Sequence, residues 1–306
     1  MKLEGTDVEN TIMKNTMKKI IFTLFTVASF STQALAASTP SHDPHIVAPF
    51  SGLCSKSVTI KPENPSNYYA GTEGLKGDAL KTKLNKIISK NVTKLPYTSS
   101  EFDVWDALAI TDQDPDNSNN VILMYTGRSQ LITFSSSGNN DPDAWNREHS
   151  YPKSNGGFND RSASGYTDIH HLRPTDASIN SERGNLEFDN GGSATSESPE
   201  AGNKITSTTF EPRDAVKGDI ARMMFYMATR YEGDDISTPD LELVTSVTNN
   251  GTAMGNICTL LNWNILDPVD DFESLRNDKI QKIQGNRNPY VDNPDWADEI
   301  FAKDCQ

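Results

Sequence analysis

Apolar residues recur along this chain in three rhythms, each predicting a different kind of element. The first is a run broken only by threonine, Ile20 to Ala28, preceded by Lys18-Lys19 and followed by Ala34-Leu35-Ala36. A basic start, a short apolar stretch and an Ala-x-Ala site predict a secretory signal peptide over residues 1–36, cleaved after Ala36 and too short to span a bilayer. Met13 or Met17 is a candidate start, because Glu4, Asp7 and Glu9 suit the basic end of such a signal poorly. The second rhythm is helical. Leu80, Leu84, Ile87 and Ile88 predict a helix within Leu75 to Lys90, with lysines between them. Val216, Ile220, Met223, Met224, Met227 and Ala228 mark one apolar face over Pro212 to Tyr231, and Gly233 follows to stop it. Leu260 to Gln284 reads as helix in pieces, broken at Asp267-Pro268 and ended by Gly285. The third rhythm is a strand, Val121 to Tyr125, closed by Gly127-Arg128-Ser129. Phe102 to Ala109 and Leu241 to Thr248 fit a strand or a helix equally well.

Polar stretches separate these elements. Ala37 to Ser57 is rich in Ser, Pro and Ala and predicts a flexible lead-in over residues 37–66, with His42 and His45 exposed. Asp189 to Asn203 predicts an exposed loop. Thr111 to Asn120 predicts a turn. Its Asp-x-Asp-x-Asp start from Asp112 invites a calcium loop, but an EF-hand needs Gly at position six and Glu at twelve, where Asn117 and Leu123 stand. A solvated turn is the better reading. Neither an internal repeat nor a transmembrane span is evident.

Composition adds two constraints. The formal net charge is -14 and the sequence pI about 4.8; without residues 1–36 the charge is -15. About 270 residues then remain, enough for one large domain or two small ones. Export implies an oxidising compartment, periplasmic or extracellular, with no membrane attachment once the signal is removed. The three cysteines allow at most one intramolecular disulfide. Cys258–Cys305 would tie down the C-terminus and Cys54–Cys258 the lead-in; the sequence leaves both open. No cysteine spacing resembles a zinc site.

The candidate chemistry concentrates between Trp145 and Asn185, which holds three of the five histidines: His149, His170 and His171. Glu148 and His149 are neighbours that a regular strand would point to opposite faces, yet at a strand end both can line one cleft. His170 and His171 fall on a predicted strand, Asp168 to Leu172, one facing the cleft and one packing. A helix is predicted to open after Pro174, with Thr175 or Asp176 as cap and Asn180 on it. Two strands and a helix bearing an oxygen ligand make a ββα arrangement around a metal. A metal-assisted phosphodiesterase needs oxygen ligands for a hard cation, a general base for the attacking water and a cation for the phosphate. Glu148 and the Asn180 amide oxygen supply the first, His149 the second and Arg183 with other arginines the third.

Three motifs carry a family resemblance: WNREHSYPKS (Trp145 to Ser154), DIHHLRP (Asp168 to Pro174) and INSERGN (Ile179 to Asn185). They resemble, in order, the bacterial endonuclease I family of periplasmic and secreted nucleases. VILMYTGRS (Val121 to Ser129), FEPRDAVKGDIAR (Phe210 to Arg222) and RNDKIQKIQGNRNPYVD (Arg276 to Asp292) extend the likeness, so that it covers roughly Gly71 to Phe301. The resemblance implies a mixed, helix-rich α+β catalytic domain over residues 67–306, built around a ββα-metal core. It implies cleavage of DNA and often RNA with little sequence preference, using Mg²⁺, or alternatively Mn²⁺ or Ca²⁺. Glu148 and Asn180 match the family's metal ligands and His149 its general base. The family also holds the phosphate with an arginine, which in its better-known periplasmic members lies in a cysteine-rich insertion absent here; Arg161, Arg173 and Arg183 are the candidates. Asp168, His170, His171, Arg147 and Asn185 are expected to support the site. The longer C-terminal half looks more like secreted members, some described as ribonucleases.

Two other readings compete. One is a nuclease of the same mechanism restricted to RNA; the other is an inactive nucleic-acid-binding relative, for which a base beside two oxygen ligands has no use. Glu211, Lys217 and Arg222 are expected to form salt bridges rather than bind substrate, and Asn286 to Pro289 to buttress the site. A monomer is expected. The net charge opposes a polyanion, so cations must be focused locally. Arg147, Lys153, Arg161, Arg173 and Arg183 provide them within the central stretch.

Overall fold

Helix α1 (Pro65–Tyr68) and helix α2 (Gly77–Ile88) open the residues described by the computed structural model, which are 65–247 and 251–305. The signal peptide, nearly all of the lead-in, His42, His45 and Cys54 lie outside the described residues. Helix α2 buries the predicted Leu80, Leu84 and Ile88 completely. Helix α3 (Val104–Thr111) resolves the ambiguity at Phe102 to Ala109. A capping box decides it: Asp103 accepts from the Trp105 and Asp106 amides, and Asp106 accepts from the Asp103 amide. The turn that follows spends its carboxylates internally. Asp112 pairs with Arg173 and Arg276, while Asp114 accepts from the Asp116 amide and from Ser129.

The strand predicted over Val121 to Tyr125 is shorter in the structure. Strand β1 (Asn120–Ile122) pairs antiparallel with β2 (Ser129–Leu131), and the chain leaves the ladder at Leu123. Leu123, Met124 and Tyr125 are buried nonetheless, because packing rather than pairing holds them; Met124 N–H donates to the Pro174 carbonyl at 2.9 Å. Strands β3 (Trp145–His149) and β4 (Leu172–Asp176) form an antiparallel pair that sets Glu148 opposite Arg173 and His149 opposite Leu172. Helix α4 (Ala177–Arg183) follows directly, capped by Asp176 through the Ser178 amide.

The strand predicted over Asp168 to Leu172 is displaced. Only Leu172 belongs to β4, and Asp168 to His171 form a turn after a 3₁₀ segment, Gly165–Thr167. The amides of that turn find side-chain acceptors instead of a ladder: Ile169 N–H donates to Gln284 and His170 N–H to Asp168.

Strands β5 (Glu187–Phe188), β6 (Ser193–Ala194), β7 (Lys204–Ile205) and β8 (Thr209–Glu211) make a small sheet in the order β5-β8-β7-β6. The segment predicted as a plain loop therefore contributes an edge strand. Helix α5 (Lys217–Arg230) starts five residues later than predicted and is buried from Gly218 to Arg230, not on one face alone. Its buried charges find partners within the fold, Arg222 in a two-pronged pair with Glu273 and Asp219 with Arg173. Strands β9 (Glu242–Leu243) and β10 (Ala253–Met254) pair in parallel. Helices α6 (Ile257–Leu266) and α7 (Asp271–Gln284) break between Leu266 and Asp271, across Asp267-Pro268, and Gly285 ends α7 at φ +98°. Helices α8 (Pro289–Asp292) and α9 (Trp296–Phe301) complete a mixed α+β domain. The main core gathers α2, α5, α6 and the C-terminal helices; a second cluster packs α3 and Ile280 against Trp145 and Leu172. A Cys258–Cys305 disulfide selects one of the two open pairings. Among the described residues no helix is long and apolar enough to cross a membrane.

Candidate active site

His149 is the last residue of β3, and the end of the strand is where Glu148 and His149 come to line one cleft of about 290 Å³ with Asn180. Glu148 is only 2% exposed. Its Oε1 accepts from the Tyr125 hydroxyl at 2.7 Å and from Arg183 Nη1 at 2.8 Å. Burial, then the neighbouring Glu148 charge, holds the Tyr125 phenol far above its usual range, so it stays a donor. Among the described residues the hydrogen bonds to Glu148 fall on Oε1, and none falls on Oε2. Asn180, half-buried on α4, donates from Nδ2 to Asn146 Oδ1 at 2.7 Å. Asn146 stands two residues before Glu148 on the same strand face. This bond directs the Asn180 nitrogen inward and leaves its Oδ1 as a free acceptor.

The His149 ring packs among Tyr97, Tyr166 and His171, and one hydrogen bond sets its tautomer. Its Nε2 lies 2.9 Å from the Tyr166 carbonyl oxygen. A carbonyl only accepts, so Nε2 bears the hydrogen and Nδ1 of the neutral ring holds a lone pair. Desolvation, reinforced by His171, Lys153 and Arg147, pushes the His149 pKa well below its usual value. The ring is therefore an unprotonated base at neutral pH.

The supporting residues have separate tasks. Buried Asp168 accepts from Tyr226, Tyr231 and Gln284 at 2.8 to 2.9 Å. Burial alone would raise its pKa, but His170, His171 and the hydrogen bonds from Gln284 and the His170 amide bring it below the usual carboxylate value. His170 reaches the Asn286 carbonyl and His171 the Gly165 carbonyl, and neither lines the cleft. Asn286 also donates to the Ile88 carbonyl and Tyr226, so the C-terminal segment supports this network. Asn185 lines the cleft, and its carbonyl accepts from Asn155.

The arginines divide sharply. Arg173 is buried between Asp112 and Asp219. Arg183 is fully buried and clamps the strand end, donating to Glu148, to the His149 carbonyl at 3.1 Å and to the Ser150 carbonyl at 2.8 Å. Neither guanidinium faces the cleft. Arg147 and Lys153 line it, and exposed Arg161 sits 5.5 Å from the Tyr97 ring beside it. Sequence reasoning missed Tyr97, Trp105, Tyr125 and Asn146. Only Asn146 had a local signal, its i-2 spacing from Glu148; the others arrive through tertiary packing.

The endonuclease I family profile matches residues 76–295. The chain belongs to the endonuclease I family. It is 48% identical over 278 residues to an extracellular ribonuclease of Bacillus subtilis (strain 168), covering 89% of this chain and 92% of that protein. It is 45% identical over 294 residues to an extracellular ribonuclease of Bacillus amyloliquefaciens, covering 92% and 97%. A more distant match, 25% identical over 128 residues, is an extracellular deoxyribonuclease of Aeromonas hydrophila, covering 41% of this chain and 49% of that protein. Within this family, the β3–β4–α4 unit is what brings Glu148, His149 and Asn180 together.

Proposed function

We propose that the protein is a secreted, metal-dependent endonuclease that hydrolyses phosphodiester bonds of RNA and DNA with little sequence preference. The observation that carries this reading is an unprotonated His149 Nδ1 in the same cleft as two uncommitted oxygens, Glu148 Oε2 and Asn180 Oδ1. One carboxylate oxygen and one amide oxygen, with room for water, suit a hard cation such as Mg²⁺, Mn²⁺ or Ca²⁺ better than a thiophilic one. Among the described residues no group of three or more His, Cys, Asp or Glu forms a cage, so water would fill most of the coordination shell. When bound there, the cation supplies Lewis-acid stabilisation of charge on the phosphate.

The chain's own residues do the rest. His149 Nδ1 takes a proton from water as the water oxygen bonds to phosphorus and the P–O bond to the leaving nucleotide breaks; the departing oxygen takes a proton from solvent water and leaves as a hydroxyl, and the imidazolium returns its proton to solvent. The Tyr166 carbonyl stabilises the imidazolium that results, because Nε2–H remains its donor. Arg183 and Tyr125 hold Glu148 in place and contact no substrate. The phosphate is left to Arg147, Lys153 and Arg161.

The names of the relatives at 45% and 48% identity favour a second reading, in which RNA is the main substrate. The mechanism is unchanged, because water attack does not use the 2′-OH. Digestion of plasmid DNA and of RNA, each with Mg²⁺, Mn²⁺, Ca²⁺ or a chelator, tests both. Cleavage with at least one cation and its loss with chelator is expected. Inactivity toward both polymers with all three cations would overturn the nuclease reading, and cleavage of RNA alone would select the second.

A further inference from the structure

Beside the reacting groups the cleft carries two aromatic rings that hydrolysis does not require. Tyr97 and Trp105 line it together with Glu148 and His149. Both touch Arg147, whose guanidinium carbon lies 3.4 Å from the Tyr97 ring centroid and 4.0 Å from that of Trp105. Arg147 also donates to the Tyr97 carbonyl and, at 3.2 Å, to Thr98 Oγ1, pinning the segment that carries Tyr97. Trp105 is set edge-on against Trp145 at 4.9 Å, which fixes it to the strand that bears the site. The Tyr97 and His149 rings lie 5.8 Å apart and within 26° of parallel.

Packing alone does not account for this arrangement. Both rings pack against the core on one side, yet both remain half-buried and line the cleft on the other. Among the described residues no carboxylate lies within ion-pair distance of Arg147, whose guanidinium meets the two rings instead. Arg147 covers one face of each ring, so a flat, electron-rich group attached to a phosphate would stack on the ring surface that lines the cleft, with the guanidinium behind it.

We propose that Tyr97, Trp105 and Arg147 form a nucleobase-stacking subsite beside the scissile phosphate, selecting unpaired strands of RNA or DNA over duplex. The inference rests on the nuclease reading given above. In a duplex each base face is covered by its neighbours, so a ring recessed in a cleft reaches only a base that has left the stack. In a single strand the faces are available, and stacking tolerates every base because each has a π face. Proximity of Tyr97 to His149 sets the stacked base next to the phosphodiester that the imidazole serves.

Kinetics on one sequence, presented as a single strand and as a hairpin duplex with Mg²⁺, provide the test. The wild-type protein is expected to prefer the single strand in kcat/KM. Tyr97→Leu should raise KM for the single strand by about 5- to 100-fold, well beyond any rise it causes on the duplex through Arg147, and Tyr97→Phe should behave as wild type. An equal rise on both substrates, or no rise, overturns the subsite. If the wild-type protein cleaves neither substrate, the nuclease reading fails, and the subsite is read separately by binding. A single-stranded oligonucleotide carrying 2-aminopurine should lose fluorescence on titration with His149→Ala protein, through stacking on the rings. Absence of that quenching overturns the subsite whether or not the Tyr97 variant folds.

Discussion

His149 owes its proposed role to a single hydrogen bond, from Nε2 to the Tyr166 carbonyl, which decides the tautomer and so leaves Nδ1 basic. His171 makes the same kind of bond to the Gly165 carbonyl, yet its Nδ1 is buried without a partner and meets no cleft. Chemistry here depends on where the second nitrogen points, which residue type alone does not encode. That Glu148, His149 and Asn180 would meet in one cleft was legible in the sequence because they sit in motifs; which arginine lines that cleft was not. Arg173 and Arg183 look equivalent to Arg161 on paper, and only the fold shows their buried carboxylate partners. Replacing His149 by Ala should lower turnover by roughly two to four orders of magnitude while nucleic-acid binding persists; unchanged cleavage would remove His149 from the mechanism. Replacing Arg183 by Met should act on stability, because it strands the buried Glu148 carboxylate at a cost of about 3–5 kcal/mol. Denaturant midpoints should fall accordingly, and the double variant Glu148→Gln/Arg183→Met should recover part of the loss. A double variant no more stable than the single one would show that Glu148 is not what Arg183 supports.

Among the elements, those with a strong local rhythm or cap were legible, and those set by distant contacts were not. The α2 periodicity, the Asp267-Pro268 break and the Gly285 stop all act through the local backbone. The Asp168 to His171 turn is held by Gln284, Tyr226 and Tyr231, more than fifty residues away, so its apolar-polar pattern misleads. The burial of α5 on all sides has the same origin: Arg222 pairs with Glu273 on α7, Asp219 with Arg173 on β4 and Lys217 with Glu211 on β8, partners that no helical wheel reveals. The disulfide is an element-scale device too. Cys258 lies in the first turn of α6, and Cys305 lies in the 3₁₀ turn after α9, 47 residues on. Closing a loop of that length restricts the unfolded chain by about 4 kcal/mol in the entropy model. Cys305→Ser, or reduction, should therefore lower the thermal midpoint by many degrees while cleavage at 25 °C, far from this link, stays near wild type. A midpoint insensitive to reductant would mean the cross-link adds nothing to the fold.

At the scale of the whole molecule, net charge and pH response are governed by different sets of groups. The charge of -14 is spread over a surface that repels polyanions, and the cleft opposes it locally with Arg147 and Lys153, beside Arg161. Stability toward acid depends instead on the buried histidines: His149, whose pKa lies well below its usual value, and beside it His170 and His171. Burial, opposed by the charge of Asp168, lowers the latter two from 6.5 to about 4. In the unfolded chain each regains a pKa near 6.5 and binds a proton that the folded protein refuses. The stability they contribute is complete above about pH 6.5, falls as the pH drops toward 4, and changes little below that. Each imidazole accounts for on the order of 3 kcal/mol across this window. Two together are comparable with the whole stability of a typical domain. Asp168 extends the loss to lower pH, because its folded pKa lies below that of the unfolded chain. Urea midpoints taken from pH 7.5 to pH 4 should therefore fall steeply below 6.5, before ordinary carboxylates begin to titrate. A midpoint that stays level until pH 4.5 would show that none of the buried histidines is held neutral by the fold.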